Sequence, residues 1–167
     1  NLNSQKKGTG EHAQAILSNS DYNDIFKKDV LCAFENGMLI IEYDLPSKSV
    51  FYTIKEYKQI SSSNEVIARN YPDSHLKTAY ERALYAISLR SIYEVFVKDK
   101  SSKIKATTFN GYITEKNDAT GLPERRCVMS VQVERDKFMK INLAEVDPAA
   151  CFKGLKGVSA SKLVDLS

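Results

Sequence analysis

Asp44 stands twelve residues ahead of the triplet Glu56-Tyr57-Lys58. An aspartate at one strand end and a glutamate on a neighbouring strand can hold Mg²⁺, while a lysine close by orients an attacking water and offsets charge on a phosphate. Side chains alternate along a strand, so Glu56 and Lys58 would share one face. Composition weakens this reading. A chain with 21 acidic residues and 18 lysines contains roughly two acidic-x-Lys triplets by accident. The triplet also ends a tyrosine- and lysine-bearing segment that runs into Ser61-Ser62-Ser63, the composition of a charged edge-strand end. Asp44, Glu56 and Lys58 are therefore read as a decoy, and no catalytic, cofactor-binding or metal-ligating residue is assigned.

Lys98, Lys100, Lys103 and Lys105 form the densest basic cluster, with Phe109 and Tyr112 behind them. Lysines meet phosphates and aromatic rings stack on bases, so these four are the candidate nucleic-acid-binding residues. Asp99 interrupts the run, and a lysine-rich turn is also ordinary solvated surface. Glu124, Arg125 and Arg126 make no stronger signal. Cys32, Cys127 and Cys151 are odd in number, far apart and in apolar surroundings, which predicts three small buried hydrophobes. His12 and His75 have no second ligand at metal spacing and read as solvated or capping residues. Neither G-x-S-x-G nor a phosphate-cradling G-x-x-x-x-G-K-[ST] occurs.

Elements must position these groups. The 167 residues suffice for one domain with a real core, over 12–167, after a polar lead-in at 1–11. The chain has 43% hydrophobic residues without a long apolar run and no signal-like opening, which predicts a cytoplasmic protein that does not span a membrane. It begins without methionine, so a piece of a longer protein is expected. Residues 1–72 carry 8 basic and 9 acidic side chains, and residues 73–167 carry 16 and 12. That imbalance is too mild for a dedicated DNA binder.

Ala13, Ile16 and Leu17 mark a short helix. Two strands over 30–46 are joined at Asn36-Gly37, a dipeptide suited to the positive φ values of a type I′ turn. Val50, Tyr52 and Ile54 alternate in a third strand over 50–58. A long helix runs from about His75 to Val97, capped by Asp73 or Ser74. Two more strands follow, the last with Cys127, Met129, Val131 and Val133 on one face. Asp147 and Pro148 open a terminal helix, which Gly154 and Gly157 end. The expected class is α+β: an antiparallel sheet of about five strands with one long helix packed on it and short terminal helices.

Several stretches, in order, carry a family likeness: EYDLPS, YTIKEYK, ALYAISLRSIYEVF, FNGYITEKNDATG and INLAEVDPAACFKGLKGVSASKL. Together they resemble the module upstream of the nuclease domain in Mrr-like bacterial restriction endonucleases, from about Leu39 to Leu166. The most specific pieces are FNG followed by DATG, and VDPAACFKGLKG. The resemblance implies a non-catalytic accessory module in bacterial defence, acting by positioning, self-association or regulation. Its partners would be a second copy or its own nuclease domain, with DNA reached through the full protein. The catalytic groups and Mg²⁺ would belong to the later domain, so Asp44 and Glu56-Tyr57-Lys58 lie in the wrong module. Phe109, Asn110, Gly111, Asp147, Pro148 and Ala150 would serve as turn, cap and packing. Two alternatives stand beside this: a module contacting phosphates through Lys98 to Lys105, and a small Mg²⁺-dependent nuclease. Self-association is expected through an edge strand at Val50 to Lys58.

Overall fold

The structure is a computed structural model and describes residues 2–18, 29–51 and 73–160, with side chains from residue 7 in the first stretch and from residue 75 in the last. Helix α1 (Leu2–Ser18) is followed by strands β1 (Val30–Glu35) and β2 (Met38–Asp44), then helix α2 (Asp73–Lys98) and strands β3 (Ala106–Lys116) and β4 (Pro123–Glu134). Two short helices, α3 (Arg135–Phe138) and α4 (Pro148–Gly154), and strand β5 (Val158–Ser159) complete it. The fold is α+β, with a five-stranded sheet in the order β1-β2-β3-β4-β5 and one long helix. Among the described residues no helix is long and apolar enough to cross a membrane.

Each hairpin has local chemistry behind it. Asn36 and Gly37 adopt φ of 51° and 79°, the left-handed pair that a two-residue turn between twisted strands requires. At the β3–β4 loop Asn117 Oδ1 accepts from the Ala119 amide at 2.8 Å, and Gly121 takes φ 70° while its amide donates to the Asn117 carbonyl at 2.7 Å. One pairing in the sheet is parallel, β2 with β3, where an all-antiparallel sheet was expected. The reason is topological: α2 lies between the two strands in sequence, and a chain that crosses back over the sheet enters its next strand in the original direction.

The expected strand over 50–58 is not seen where it can be judged. Residues 48–51 are helical, with the Phe51 amide donating to the Ser47 carbonyl at 3.0 Å, and Tyr52 to Lys58 lie outside the described residues. The fifth strand is Val158–Ser159, paired with Ser130 and Met129. The segment expected as a polar lead-in is helical from Leu2 onward. Gly10 explains how α1 can lie against the edge strand: a Cβ there would come within 3.2 Å of the Cys32 carbonyl oxygen and 3.4 Å of the Phe34 amide nitrogen. Gln14 Oε1 then accepts from the Cys32 amide at 3.2 Å, satisfying an edge group that would otherwise face outward.

The core sits between one sheet face and the helices. Leu39, Ile41 and Tyr43 of β2, Phe109 and Ile113 of β3, and Met129, Val131 and Val133 of β4 meet Tyr80, Leu84, Ile92, Val95 and Phe96 of α2. α2 is buried on more than one side because α4 covers another flank, with the Tyr85 and Phe152 rings 4.9 Å apart. Asp147 caps α4 as expected, its Oδ2 accepting from the Ala150 amide at 2.9 Å with Pro148 in the first turn. The helix stops at Gly154, but the left-handed position after it is Lys156, at φ 62°. Gly157 serves close packing, since a Cβ there would lie 2.4 Å from the Phe152 ring.

Candidate functional site

Asp44 ends β2 on the sheet face opposite the core, at the position paired with Tyr112. Across β3 on the same face is Arg125, whose Nε and Nη2 both donate to Asp44 Oδ1 at 2.8 Å. The guanidinium carbon lies 3.8 Å from the centre of the Tyr112 ring. The carboxylate is thus held by a cation in a clamp that joins β2 to β4 over β3. Burial, and then the charge of Glu42, push the Tyr112 hydroxyl above its usual pKa, with Arg125 pulling the other way. Among the described residues no group of three or more His, Cys, Asp or Glu side chains is placed to hold a metal ion. Glu56 and Lys58 lie outside the described residues.

Cys127 departs from its expected place. Strand β4 carries a bulge: Gly111 pairs with Met129 and Tyr112 with Cys127, leaving Val128 as an extra residue. An extra residue reverses the alternation. Val128 and Met129 are consecutive and both buried, and Cys127 is turned to the exposed face beside Arg125. Cys32 and Cys151 are half-buried; burial pushes the Cys32 thiol up to about 12 and raises that of Cys151. His12 and His75 are exposed, as expected.

The lysine cluster is held together. Lys98, Lys100, Lys103 and Lys105 are all exposed, on the last turn of α2 and the loop leading to β3. Asp99, which breaks the run in sequence, points inward and is only 8% exposed. Its Oδ2 accepts from Arg135 Nη2 at 2.5 Å and from the Ile104 amide at 2.8 Å, and its Oδ1 accepts from Ser101 Oγ at 3.0 Å. Arg135 also donates to the carbonyls of Ile104 (2.6 Å) and Phe96 (2.9 Å), the second lying in the final turn of α2 where carbonyls lack partners. The Lys105 amide donates to the Gly37 carbonyl at 2.8 Å, fixing the loop against the β1–β2 turn.

The aromatic half of that constellation separates from it. Phe109 is fully buried in the core. Tyr112 is seven residues beyond Lys105, about 23 Å along an extended strand, under the Arg125 guanidinium. Phe109, Asn110 and Gly111, expected to include a turn, lie in the middle of β3: Asn110 Oδ1 accepts from Ser130 Oγ at 2.6 Å, and Gly111 leaves room for Leu45 and Met129.

Sequence reasoning weighed Arg125 only as a weak basic signal and passed over Arg135. Their partners are 81 and 36 positions away, and nothing local marks an arginine as the mate of one distant carboxylate. The one signal was Asp99, an acid inside a basic run. A recess of about 810 Å³ also lies between α2 and residues 139–148, walled by Leu89, Tyr93, Ile141 and Leu143 with Arg90 and Asn142 among its polar lining. It offers contact area without a converging set of reactive groups. Compared with models of protein families, with curated proteins and with solved structures, the chain matches none.

Proposed function

We propose that this chain is a non-catalytic accessory module of a Mrr-like DNA restriction endonuclease in bacterial defence, one that positions or restrains a nuclease domain. The observation that supports it best is the Asp44–Arg125 clamp. A carboxylate awaiting Mg²⁺ needs open oxygens aimed at a second acid, whereas Asp44 is neutralised by an arginine bridging two strands. Resembling positions also do structural work here: Phe109 fills the core, Gly111 allows close packing, and Asp147, Pro148 and Ala150 build a helix start.

On this reading the partner is the protein's own nuclease domain, and Mg²⁺ belongs to that domain. Pairing through an edge strand at Val50 is not part of the proposal, because Val50 and Phe51 are helical.

The test has two arms. Supercoiled plasmid incubated with the purified chain and Mg²⁺ should stay intact; nicking that disappears in Glu56→Ala would overturn the non-catalytic assignment. Coding sequence following Ser167 should specify an endonuclease domain bearing an aspartate and a Glu- or Gln-x-Lys motif, and a stop codon there would overturn the module assignment.

A further inference from the structure

We infer that the Lys98–Lys105 loop is a preformed seat for the phosphate backbone of duplex nucleic acid, with Asp99 and Arg135 as its positioning residues. The inference does not depend on the nuclease reading. It starts from a charge that changes place on folding. In sequence the run from Lys98 to Lys105 contains four lysines and one aspartate; in the structure the aspartate is withdrawn into a buried ion pair and the four ammonium groups remain at the surface. Burying an acid together with a base leaves the net charge of the molecule unchanged, but the exposed loop becomes uniformly cationic.

The loop is also held in shape. The Ser102 amide donates to the Asp99 carbonyl at 3.1 Å with Ser102 at φ 51°, a left-handed conformation unusual for serine. Ile104 supplies the loop's apolar anchor and is 2% exposed. A fixed loop loses less conformational entropy on binding than a free lysine tract.

Duplex backbone is the occupant this chemistry fits. Single strands are held largely by stacking on aromatic rings, and neither Phe109 nor Tyr112 is presented at the loop. Firm membrane attachment by basic residues is generally aided by apolar insertion or a lipid anchor; Ile104 is buried, and Val97 before the loop, 46% exposed, is a single short apolar side chain. Lysine ammonium groups together with the Ser102 hydroxyl offer donors for phosphate oxygens and carry no base readout, while the Ser101 hydroxyl is committed to Asp99.

The experiment is fluorescence anisotropy of a labelled 20-base-pair duplex against the full chain over 50–200 mM salt, with the single strand and phosphatidylserine vesicles as parallel arms. Four phosphate contacts give a slope of log affinity against log salt of about −3.6, an affinity loss on the order of a hundredfold across that range. Lys100→Gln/Lys103→Gln should reduce the slope by about 1.8. Asp99→Asn separates a built seat from bulk charge because the two predict opposite signs. If the loop merely attracts polyanions, removing an acid tightens binding. If Asp99 positions the lysines, binding weakens several-fold, and Ser101→Ala, which changes no charge, weakens it in the same direction.

Circular dichroism confirms that each variant is folded. Should Asp99→Asn fail to fold, Ser101→Ala and the exposed lysine variants decide the matter. No duplex binding at 50 mM salt, an unchanged slope in the double lysine variant, tighter binding by folded Asp99→Asn, or equal affinity for the single strand or the vesicles would each overturn the proposal.

Discussion

Single side chains in this chain owe their chemistry to a few ångströms of placement. The three thiols illustrate it. Cys127 is exposed because the bulge at Val128 turns it outward, whereas Cys32 packs under α1 and its thiol is pushed up to about 12 by burial. The thiolate is the reactive form, so iodoacetamide at pH 8 should modify Cys127 first by peptide mapping, with Cys32 the slower; preferential labelling of Cys32 would contradict this placement. A pH dependence follows with a definite sign. The folded state keeps the Cys32 proton to a higher pH than the unfolded chain, whose thiol has the ordinary value of 9.0. The stability this confers is fully present below pH 9.0 and is lost as pH rises toward about 12. Urea unfolding between pH 8 and 11 should therefore show a shallower decline in Cys32→Ser than in the parent chain.

At the scale of elements, glycine decides how closely strands and helices approach. Gly111 faces the core in the middle of β3, where an added Cβ would lie 2.6 Å from Leu45 Cδ1 and 2.7 Å from Met129 Cγ. Both neighbours are themselves buried. Gly111→Ala should destabilise the fold by about 1–3 kcal/mol, the range for overpacking a filled core. Gly154 is the control. Nothing lies within 4 Å of a Cβ there and the residue is helical, so Gly154→Ala should be neutral or stabilising by up to about 1 kcal/mol. Denaturant midpoints that failed to separate the two variants would refute the packing account of β3.

Across the molecule, the end of α2, the lysine loop and the start of α3 meet at the Asp99–Arg135 ion pair. Arg135 connects the end of α2 through Phe96, the lysine loop through Asp99 and Ile104, and the β4–α3 junction on which it sits. Its guanidinium also lies 4.9 Å from the centre of the Phe96 ring. Arg135→Met strands the Asp99 carboxylate in a site where its side chain is 7% exposed. Breaking such a pair from one side costs about 3–5 kcal/mol, while replacing both partners is often close to neutral. Thermal unfolding should accordingly show a large loss for Arg135→Met and substantial recovery in Asp99→Asn/Arg135→Met. Equal losses in the single and double variants would mean that the pair is not the joint between these elements.

Much of this architecture could be read from residue order alone, wherever the determining contacts are local. Asn36-Gly37 specified a hairpin turn, Asp147-Pro148 a helix start, and the apolar spacing from Leu76 to Phe96 a long buried helix, because backbone conformation and side-chain periodicity act over a few residues. Other features were settled only in three dimensions. One inserted residue at Val128 moved Cys127 from the core to the surface; β2 and β3 ran parallel because of what lies between them; Asp44 and Asp99 took arginines from β4 and from the β4–α3 junction as partners. The physical reason is range: turns and helix starts are decided by neighbours along the chain, whereas the environment of a charge or a thiol is decided by whatever the fold brings beside it.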